Sequence, residues 1–248
     1  RTLKQNAIEA LRKQSYALVN AVDSELNKMN TLSMNVSFSG ILKDLIVEHL
    51  SLPIEPSEPE ERTRKYINTT AITDVLESLI GPFKPVPQMN YYDFRGEMIG
   101  AGVFSGEVKR HYTQLDWTRN MDLKGGKKAL SPPHEDELIG KTFEIYKQRQ
   151  YIALYRTVFD KYNNPVGIIE VKQFTDVIFK DFYRIAENII VLDENNRQLF
   201  PLDSLTPQKY ARFLSSADEN TPLTLKNEVT GSREILIAQS CRQADCKL

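Results

Sequence analysis

A long N-terminal segment without helix breakers places the strongest constraint on the fold. No proline occurs before Pro53, and the only glycine among the first 50 residues is Gly40. The helix predicted over residues 3–32 would be about 45 Å long. A helix of that length is either a coiled-coil strand or a spine along which other elements pack. Its apolar residues recur at helical spacing along one stripe, made of Leu11, Leu18, Val22, Leu26 and Met29.

The rest of the chain is rich in strand and turn signals, so an all-helical bundle is excluded. A Pro- and Glu-rich loop at 51–62 and a helix at 62–80 precede two predicted β-hairpins. The first hairpin pairs 88–94 with 98–104, and the second, clearer one pairs 150–159 with 166–173, while 106–140 is predicted to be irregular. The final third repeats the pattern with shorter elements: a helix at 174–183, strands at 188–192 and 198–200, a helix at 205–214, and strands at 223–225 and 234–239.

Charge and motifs exclude several classes of function. Lys and Arg total 32 against 33 Asp and Glu, so the chain lacks the basic excess of a nucleic-acid-binding protein. It also lacks the run of about 18–20 apolar residues that spans a membrane, and it has no signal-peptide core. None of His49, His111 and His134 belongs to a metalloprotease pair, and no nucleophile elbow or phosphate-binding loop is present. We therefore predict no enzymatic activity, no metal and no cofactor for this chain.

The two cysteines, Cys241 and Cys246, lie five residues apart near the end of the sequence. They are too few for a four-cysteine zinc site. In an oxidising compartment they could close a small hairpin disulfide, and in a reducing one they would stay as thiols. The spacing alone does not decide between these states.

The order of elements resembles a known family. The hairpin FDKYNNPVG at 159–167 and the segment VLDENNRQL at 191–199 share one pattern of apolar strand, acidic or Asn-rich turn and returning strand. Together with the long first helix, they resemble the double-Cache, PAS-like sensor domains that bacterial receptors carry outside the membrane. The sensor regions of histidine kinases that work with AraC-type response regulators are the most similar in style.

The resemblance implies an α+β fold in which a long N-terminal helix bears two PAS-like antiparallel-sheet modules. It divides the chain into a spine helix at 1–32, a membrane-distal module at 33–176 and a smaller membrane-proximal module at 177–248, which would then end before its last strands. In this family one transmembrane helix precedes the spine and another follows the proximal module. We therefore expect an extracellular fragment of a membrane-anchored receptor, which is consistent with a first residue other than Met.

The function implied is signal reception for a transmembrane sensor histidine kinase. The alternatives are the sensor region of a chemoreceptor or of a diguanylate cyclase, and a protein-interaction module gated by a ligand-loaded solute-binding protein. The apolar stripe of the first helix would serve as a homodimer seam or would pack against the chain's own sheets; the sequence leaves both open.

Family members that bind free amino acids carry Arg-x-Trp-Tyr in the distal pocket and an Asp at the sixth position from the Gly of the last hairpin. Residues 115–118 here are Leu-Asp-Trp-Thr, and the sixth residue counted from Gly167 is Lys172. Both charged anchors therefore differ from the family pattern. On this basis the sequence favours a small polar, sugar-like ligand over an amino acid.

The candidate ligand-binding residues follow from strand alternation and from the Trp-containing loop. Tyr151, Ala153 and Tyr155 share one face of their strand, as do Glu170 and Lys172 on the next. Aromatic rings with nearby carboxylates suit a sugar or another polar ligand. The alternative is that the Trp is a core residue and that the charges lie at a rim. The predicted site is Asp116, Trp117, Arg119, Tyr151, Tyr155, Glu170 and Lys172.

Overall fold

The computed structural model describes residues 2–119, 121–185, 189–202, 208–219, 221–226, 231–242 and 246–248. The chain has the α+β fold expected from the sequence. Its contacts divide it into two compact units. The large unit is residues 27–176, and the small unit combines the described residues of 1–26 and of 177–248. None of the described helices is both long enough and apolar enough to cross a membrane.

Three helices precede the first strand. Helix α1 (Leu3–Phe38) continues six residues beyond the predicted end because no breaker precedes Ser39. The Ser39 side chain accepts the Leu42 N–H at 3.2 Å and caps α2 (Gly40–Ser51). Helix α3 (Pro59–Ile80) begins with a proline, whose missing N–H costs nothing in the first turn, and ends at Gly81 with a φ of 71°.

The apolar stripe of α1 is buried within this chain. Leu18, Val22, Leu26 and Met29 each expose 5% or less of their surface, and Leu11 is half-buried. This burial favours packing of the stripe within the chain, one of the two alternatives left open by the sequence. The homodimer through the N-terminal helix stays a prediction.

The core of the large unit is an antiparallel sheet of seven strands. Its order is β3-β2-β1-β7-β6-β4, with β5 also paired to β6. Both predicted hairpins are present, as β1–β2 and β6–β7, and β1 pairs with β7 to join them. The strand bounds are β1 Gln88–Tyr92, β2 Glu97–Gly102, β3 Gly106–Lys109, β4 Lys128–Leu130, β5 His134–Glu135, β6 Gln150–Phe159 and β7 Pro165–Phe174.

The segment 106–140 is more regular than the sequence indicates. It contains β3, β4 and β5 and most of helix α4 (Glu137–Thr142), separated by short 3₁₀ turns. These strands have only two to four residues each, too few to show an alternating pattern. Strand β3 pairs with the preceding strand β2 across a three-residue connection, whereas β4 and β5 pair with β6, which begins only at Gln150.

The small unit contains two separate two-stranded sheets among its described residues. Strand β8 (Val191–Leu192) pairs with β9 (Gln198–Phe200), and β10 (Leu223–Lys226) pairs with β11 (Arg233–Leu236). The predicted helix at 174–183 is replaced by α5 (Thr175–Ile178) and a 3₁₀ turn. Part of the predicted strand at 188–192 and of the helix at 205–214 lies outside the described residues, and the described helix there is α6 (Gln208–Ser216).

Candidate functional site

A row of polar side chains crosses three adjacent strands on one face of the large sheet. Asn90 on β1 lies opposite Glu170 on β7, which lies opposite Tyr155 on β6. Glu170 is fully buried, and its carboxylate accepts hydrogen bonds from Asn90 Nδ2 at 2.6 Å, from the Tyr92 hydroxyl at 2.8 Å and from the Tyr155 hydroxyl. Burial, together with the Glu170 carboxylate, raises the pKa of Tyr92 and of Tyr155 well above its usual value. Both hydroxyls therefore stay protonated and act as donors.

Lys172 lies two residues further along β7, on the same face, and its side chain is fully buried. Its Nζ is 2.9 Å from Glu170 Oε1, 3.1 Å from Asp136 Oδ2 and 2.9 Å from His134 Nε2. Arg110 donates to the other side of Asp136 at 2.9 Å. Two cations thus face two carboxylates, which is the balance that buried charges require.

The environment sets the protonation states of this charge cluster. Burial, reinforced by the Lys172 ammonium, lowers the pKa of His134 well below its usual value. The neutral ring then accepts from Lys172 through Nε2, which leaves the Nδ1 hydrogen to donate to the Pro132 carbonyl at 3.0 Å. Burial alone would raise the pKa of Asp136, but Lys172 and Arg110 outweigh it and lower that pKa to about 2.

Trp117 covers the charge cluster from a short 3₁₀ turn, Asp116–Thr118. Its half-buried indole stacks on the His134 ring with centroids 4.0 Å apart, and its Nε1 donates to the Tyr155 hydroxyl at 2.7 Å. Lys172 Nζ lies 4.9 Å from the indole centroid, and the Arg110 guanidinium carbon lies 5.6 Å from it. Both distances are within the range of a cation–π interaction. The Trp117 indole therefore covers the charges, alongside Tyr112, which packs against the same core residues.

Five of the seven predicted site residues come together. Trp117, Tyr155, Glu170 and Lys172 form the centre of the cluster, and the Tyr151 ring centroid lies 5.6 Å from Lys172 Nζ. The Tyr151 hydroxyl is buried without a hydrogen-bond partner among the described residues. This orphaned donor at the edge of the cluster is a contact that a ligand could satisfy.

The other two predicted residues lie apart from the cluster. The side chains of Asp116 and Arg119 are 81% and 74% exposed and form an ion pair with each other at 2.7 Å. The 3₁₀ turn that directs Trp117 inward leaves its neighbours at i−1 and i+2 in solvent. Proximity in sequence to the Trp did not place them at the same site.

Sequence reasoning missed half of the cluster. Asn90 and Tyr92 come from β1, Arg110 follows β3, and His134 and Asp136 lie at β5 and just after it. Asn90 and Tyr92 share a face by alternation, so the strand pattern carried a usable signal for these two. Arg110, His134 and Asp136 come from the segment predicted to be irregular, where no alternation marks them.

A second group of buried charges lies at the β1–β2 turn. Among the described residues, the side chains of His49, Asp93 and Glu97 bring potential ligand atoms close enough together to hold one metal ion. However, Lys65 pairs with Glu97, and Arg95 pairs with Asp93 at 2.8 Å. Burial would raise the pKa of Glu97, but His49 and Lys65 beside it lower that pKa to about 2. With two cations already neutralising the carboxylates, this group is a structural anchor and does not fit a metal ion.

An apolar cavity of about 100 Å³ lies within the small unit. Its walls include Leu11 and Leu18 of α1 together with Phe213, Leu214 and Ile235. Among the described residues, no Asp, Glu, Lys or Arg side chain lines it. A cavity of this kind does not provide partners for a charged ligand.

Comparisons with known proteins identify the fold but not a family. No protein-family model matches the chain, and no curated protein is detectably similar to it. Among solved structures, the isoleucine-bound sensory domain of the Campylobacter jejuni chemoreceptor Tlp3 superposes with a TM-score of 0.58 at 13% identity, covering 99% of this chain and 94% of that domain.

Two further solved structures show the same similarity. The L-serine complex of the ligand-binding domain of the Pseudomonas fluorescens chemoreceptor CtaA has a TM-score of 0.55 at 10% identity, covering 99% of this chain and 96% of the other. The GABA complex of the Pseudomonas aeruginosa amino acid chemoreceptor PctC has a TM-score of 0.56 at 10% identity, covering 98% and 97%. The fold of this chain is therefore that of Cache-like chemoreceptor sensory domains.

Proposed function

We propose that this chain is the extracytoplasmic ligand-sensing domain of a bacterial transmembrane receptor. The observation that carries the proposal is the charge cluster beneath Trp117 in the large unit, on a fold shared with ligand-binding sensory domains. A core that needed only stability would do as well or better with apolar residues of similar volume. A buried set of opposed charges under one aromatic cover is the arrangement expected of a recognition site.

The chemistry of the cluster favours a small zwitterion. A ligand that enters beneath Trp117 must separate Lys172 from Asp136 or Glu170, and each separated charge then needs a new charged partner. A molecule with one ammonium and one carboxylate supplies both partners, whereas a neutral sugar supplies neither. Isoleucine, serine and GABA, the ligands of the similar structures, are all zwitterions of this kind. An amino-acid-like ligand therefore replaces the sugar-like ligand expected from the sequence.

The departures from the family pattern at residues 115 and 172 do not oppose this proposal. Arg110 provides a guanidinium beside Trp117, and Asp136 and Glu170 provide carboxylates beside Lys172. These are the group types that bind a carboxylate and an ammonium. They reach the site from other positions in the chain.

The output of the receptor is the second part of the proposal. The sequence resemblance favours a histidine kinase. The chemoreceptor is the second candidate, because the similar solved structures reported above are domains of chemoreceptors. In both cases the ligand shifts the receptor between two states in proportion to its differential affinity for them.

A thermal-shift screen of the purified chain tests the ligand site. The panel contains the proteinogenic amino acids, GABA, small carboxylates and neutral sugars. A ligand present at 100 times its dissociation constant stabilises the folded state by about 2.7 kcal/mol, which raises the melting temperature of a domain of this size by roughly 5–10 °C. We expect this rise from one or a few zwitterions and from no neutral sugar.

Two variants give the screen its control. Trp117→Ala should remove the ligand-induced rise because it takes away the cover of the cluster. Asp116→Ala changes the adjacent, exposed residue and should keep the full rise. A folded Trp117→Ala protein that responds like the wild type would disprove this site, and a response to sugars alone would disprove the ligand class. If no compound of the panel raises the melting temperature, direct ligand binding is refuted, and a partner such as a solute-binding protein would carry the signal.

A further inference from the structure

The two cysteines of the chain lie opposite each other in a terminal hairpin of the small unit. Cys241 and Cys246 are 5% and 1% exposed, and the Cys241 N–H donates to the Cys246 carbonyl at 2.7 Å. Next to them, Gln239 and Leu248 exchange both backbone hydrogen bonds, at 2.9 and 2.8 Å. Facing residues of such an antiparallel ladder have Cα atoms about 4.5–5.5 Å apart, within the range of roughly 4.4–6.8 Å that a disulfide bridges.

We propose that Cys241 and Cys246 form an intramolecular disulfide that closes this hairpin in the mature protein. Each thiol loses one proton and one electron as the S–S bond forms. The acceptor is the disulfide of an exchange partner, either a small-molecule disulfide or an oxidoreductase, which is reduced to two thiols through a mixed disulfide. No other cysteine exists in the chain to compete for either partner.

The surroundings indicate a structural disulfide and not a redox sensor. The adjacent Cys246 thiol, with burial, raises the pKa of Cys241. Because the thiolate is the reactive form, this pair exchanges slowly once the chain has folded. A sensor needs the opposite properties, a lowered pKa and access to solvent. The bond therefore forms as the hairpin folds and then persists.

The hairpin connects two other elements of the small unit. The Arg242 N–H donates to Asp23 Oδ2 of α1 at 2.9 Å. On the other arm, Lys247 and Leu192 of β8 exchange both backbone hydrogen bonds at 2.8 Å. A disulfide between these arms holds the contact with α1 and the contact with β8 in fixed register.

This inference rests on the extracytoplasmic location in the proposed function, because disulfides persist in oxidising compartments. The chain is produced in a bacterial periplasm, purified without reductant, denatured and treated with N-ethylmaleimide. We expect a monomer whose intact mass shows the loss of two hydrogens and no alkylation, and which takes up two alkyl groups after reduction. The reduced and the oxidised protein are then compared by thermal unfolding and by hydrogen exchange of the Arg242 amide.

Closure of a six-residue loop predicts that reduction lowers the melting temperature by roughly 4–9 °C. Exchange of the Arg242 amide should accelerate on reduction and in the Cys241→Ser/Cys246→Ser variant. Asp23→Ala should accelerate that exchange while the disulfide stays intact. Two alkylated thiols in the unreduced protein, or a disulfide-linked dimer, would overturn the inference. Ligand-induced stabilisation is measured on the same samples. If the protein binds a ligand while both thiols are free, only the disulfide is refuted. If the protein carries the disulfide but shows no ligand response, only the sensor function is refuted.

Discussion

Replacing Lys172 with methionine would test whether the charge cluster is paired in the folded protein as the structure describes. Methionine is apolar, unbranched and flexible enough to fill most of the space left by the lysine. The substitution removes one of two cations and leaves Glu170 and Asp136 to share Arg110 as their only positive neighbour within the cluster. The Trp117 ring also loses the closer of its two cationic neighbours.

The magnitude follows from the contacts that remain. Removing one partner of a buried ion pair costs roughly 3–5 kcal/mol. Glu170 keeps its hydrogen bonds from Asn90, Tyr92 and Tyr155, and Asp136 keeps Arg110, so we expect the lower end of this range. A loss of about 3 kcal/mol corresponds to a fall in melting temperature of roughly 6–12 °C for a domain of this size.

Urea unfolding at neutral pH, followed by tyrosine and tryptophan fluorescence, measures the free energy of unfolding. Asp116→Ala is the matched control, because it also removes one partner of an ion pair, but an exposed one. Exposed substitutions of this kind change stability by about 0.5 kcal/mol or less. If the free energy of unfolding of Lys172→Met differs from that of the wild type by as little as that of the control does, the proposed pairing of Lys172 is refuted.

Two further predictions concern acid stability and the packing of β7. Asp136 and Glu97 have pKa values lowered from 3.8 and 4.5 to about 2 in the folded protein, so the stability they provide is present above their unfolded pKa values and is lost as the pH falls toward 2. Protonation of Asp136 alone should reduce the free energy of unfolding by about 2 kcal/mol between pH 5 and pH 2. If urea unfolding shows no decline in stability across this range, the lowered pKa of Asp136 is contradicted. Gly167→Ala should destabilise the folded protein strongly, because a Cβ there would overlap the Tyr91 ring and lie 2.5 Å from the Tyr92 carbonyl oxygen. The control is Gly40→Ala, whose added Cβ would meet no atom within 4 Å. Its urea midpoint should equal or exceed that of the wild type.

The sequence predicts the local parts of this fold well. Strand β6 has the predicted bounds, 150–159, because ten consecutive residues carry a strong aromatic and β-branched signal. For the same reason, alternation along β6 and β7 places Tyr155 and Lys172 correctly on one face. The short strands of the segment 106–140 were not recognised because each has only two to four residues, and because β4 and β5 are defined by pairing with the later strand β6.

The sequence likewise predicts only some of the residues of the candidate site. Trp117 was identified because it matches the Trp of the family's Arg-x-Trp-Tyr pattern, and in the structure its indole donates to the Tyr155 hydroxyl. His134 and Asp136 could not be predicted, because their positions depend on β5 pairing with β6. Asp116 and Arg119 lie close to Trp117 in sequence but are exposed, whereas Thr118, directly after Trp117, is buried, so sequence proximity alone did not identify the site residues.

The burial of Lys172 and its partners also determines how the chain responds to the salinity of its medium. Dissolved ions screen charges beyond about 8–10 Å at physiological ionic strength, but they act weakly on groups from which water is excluded. The exposed Asp116–Arg119 pair should weaken as salt is added, while the attraction between Lys172, Glu170 and Asp136 stays almost constant. Under the proposed function, we therefore expect the charge cluster that forms the ligand site to keep its internal pairing at low and at high ionic strength.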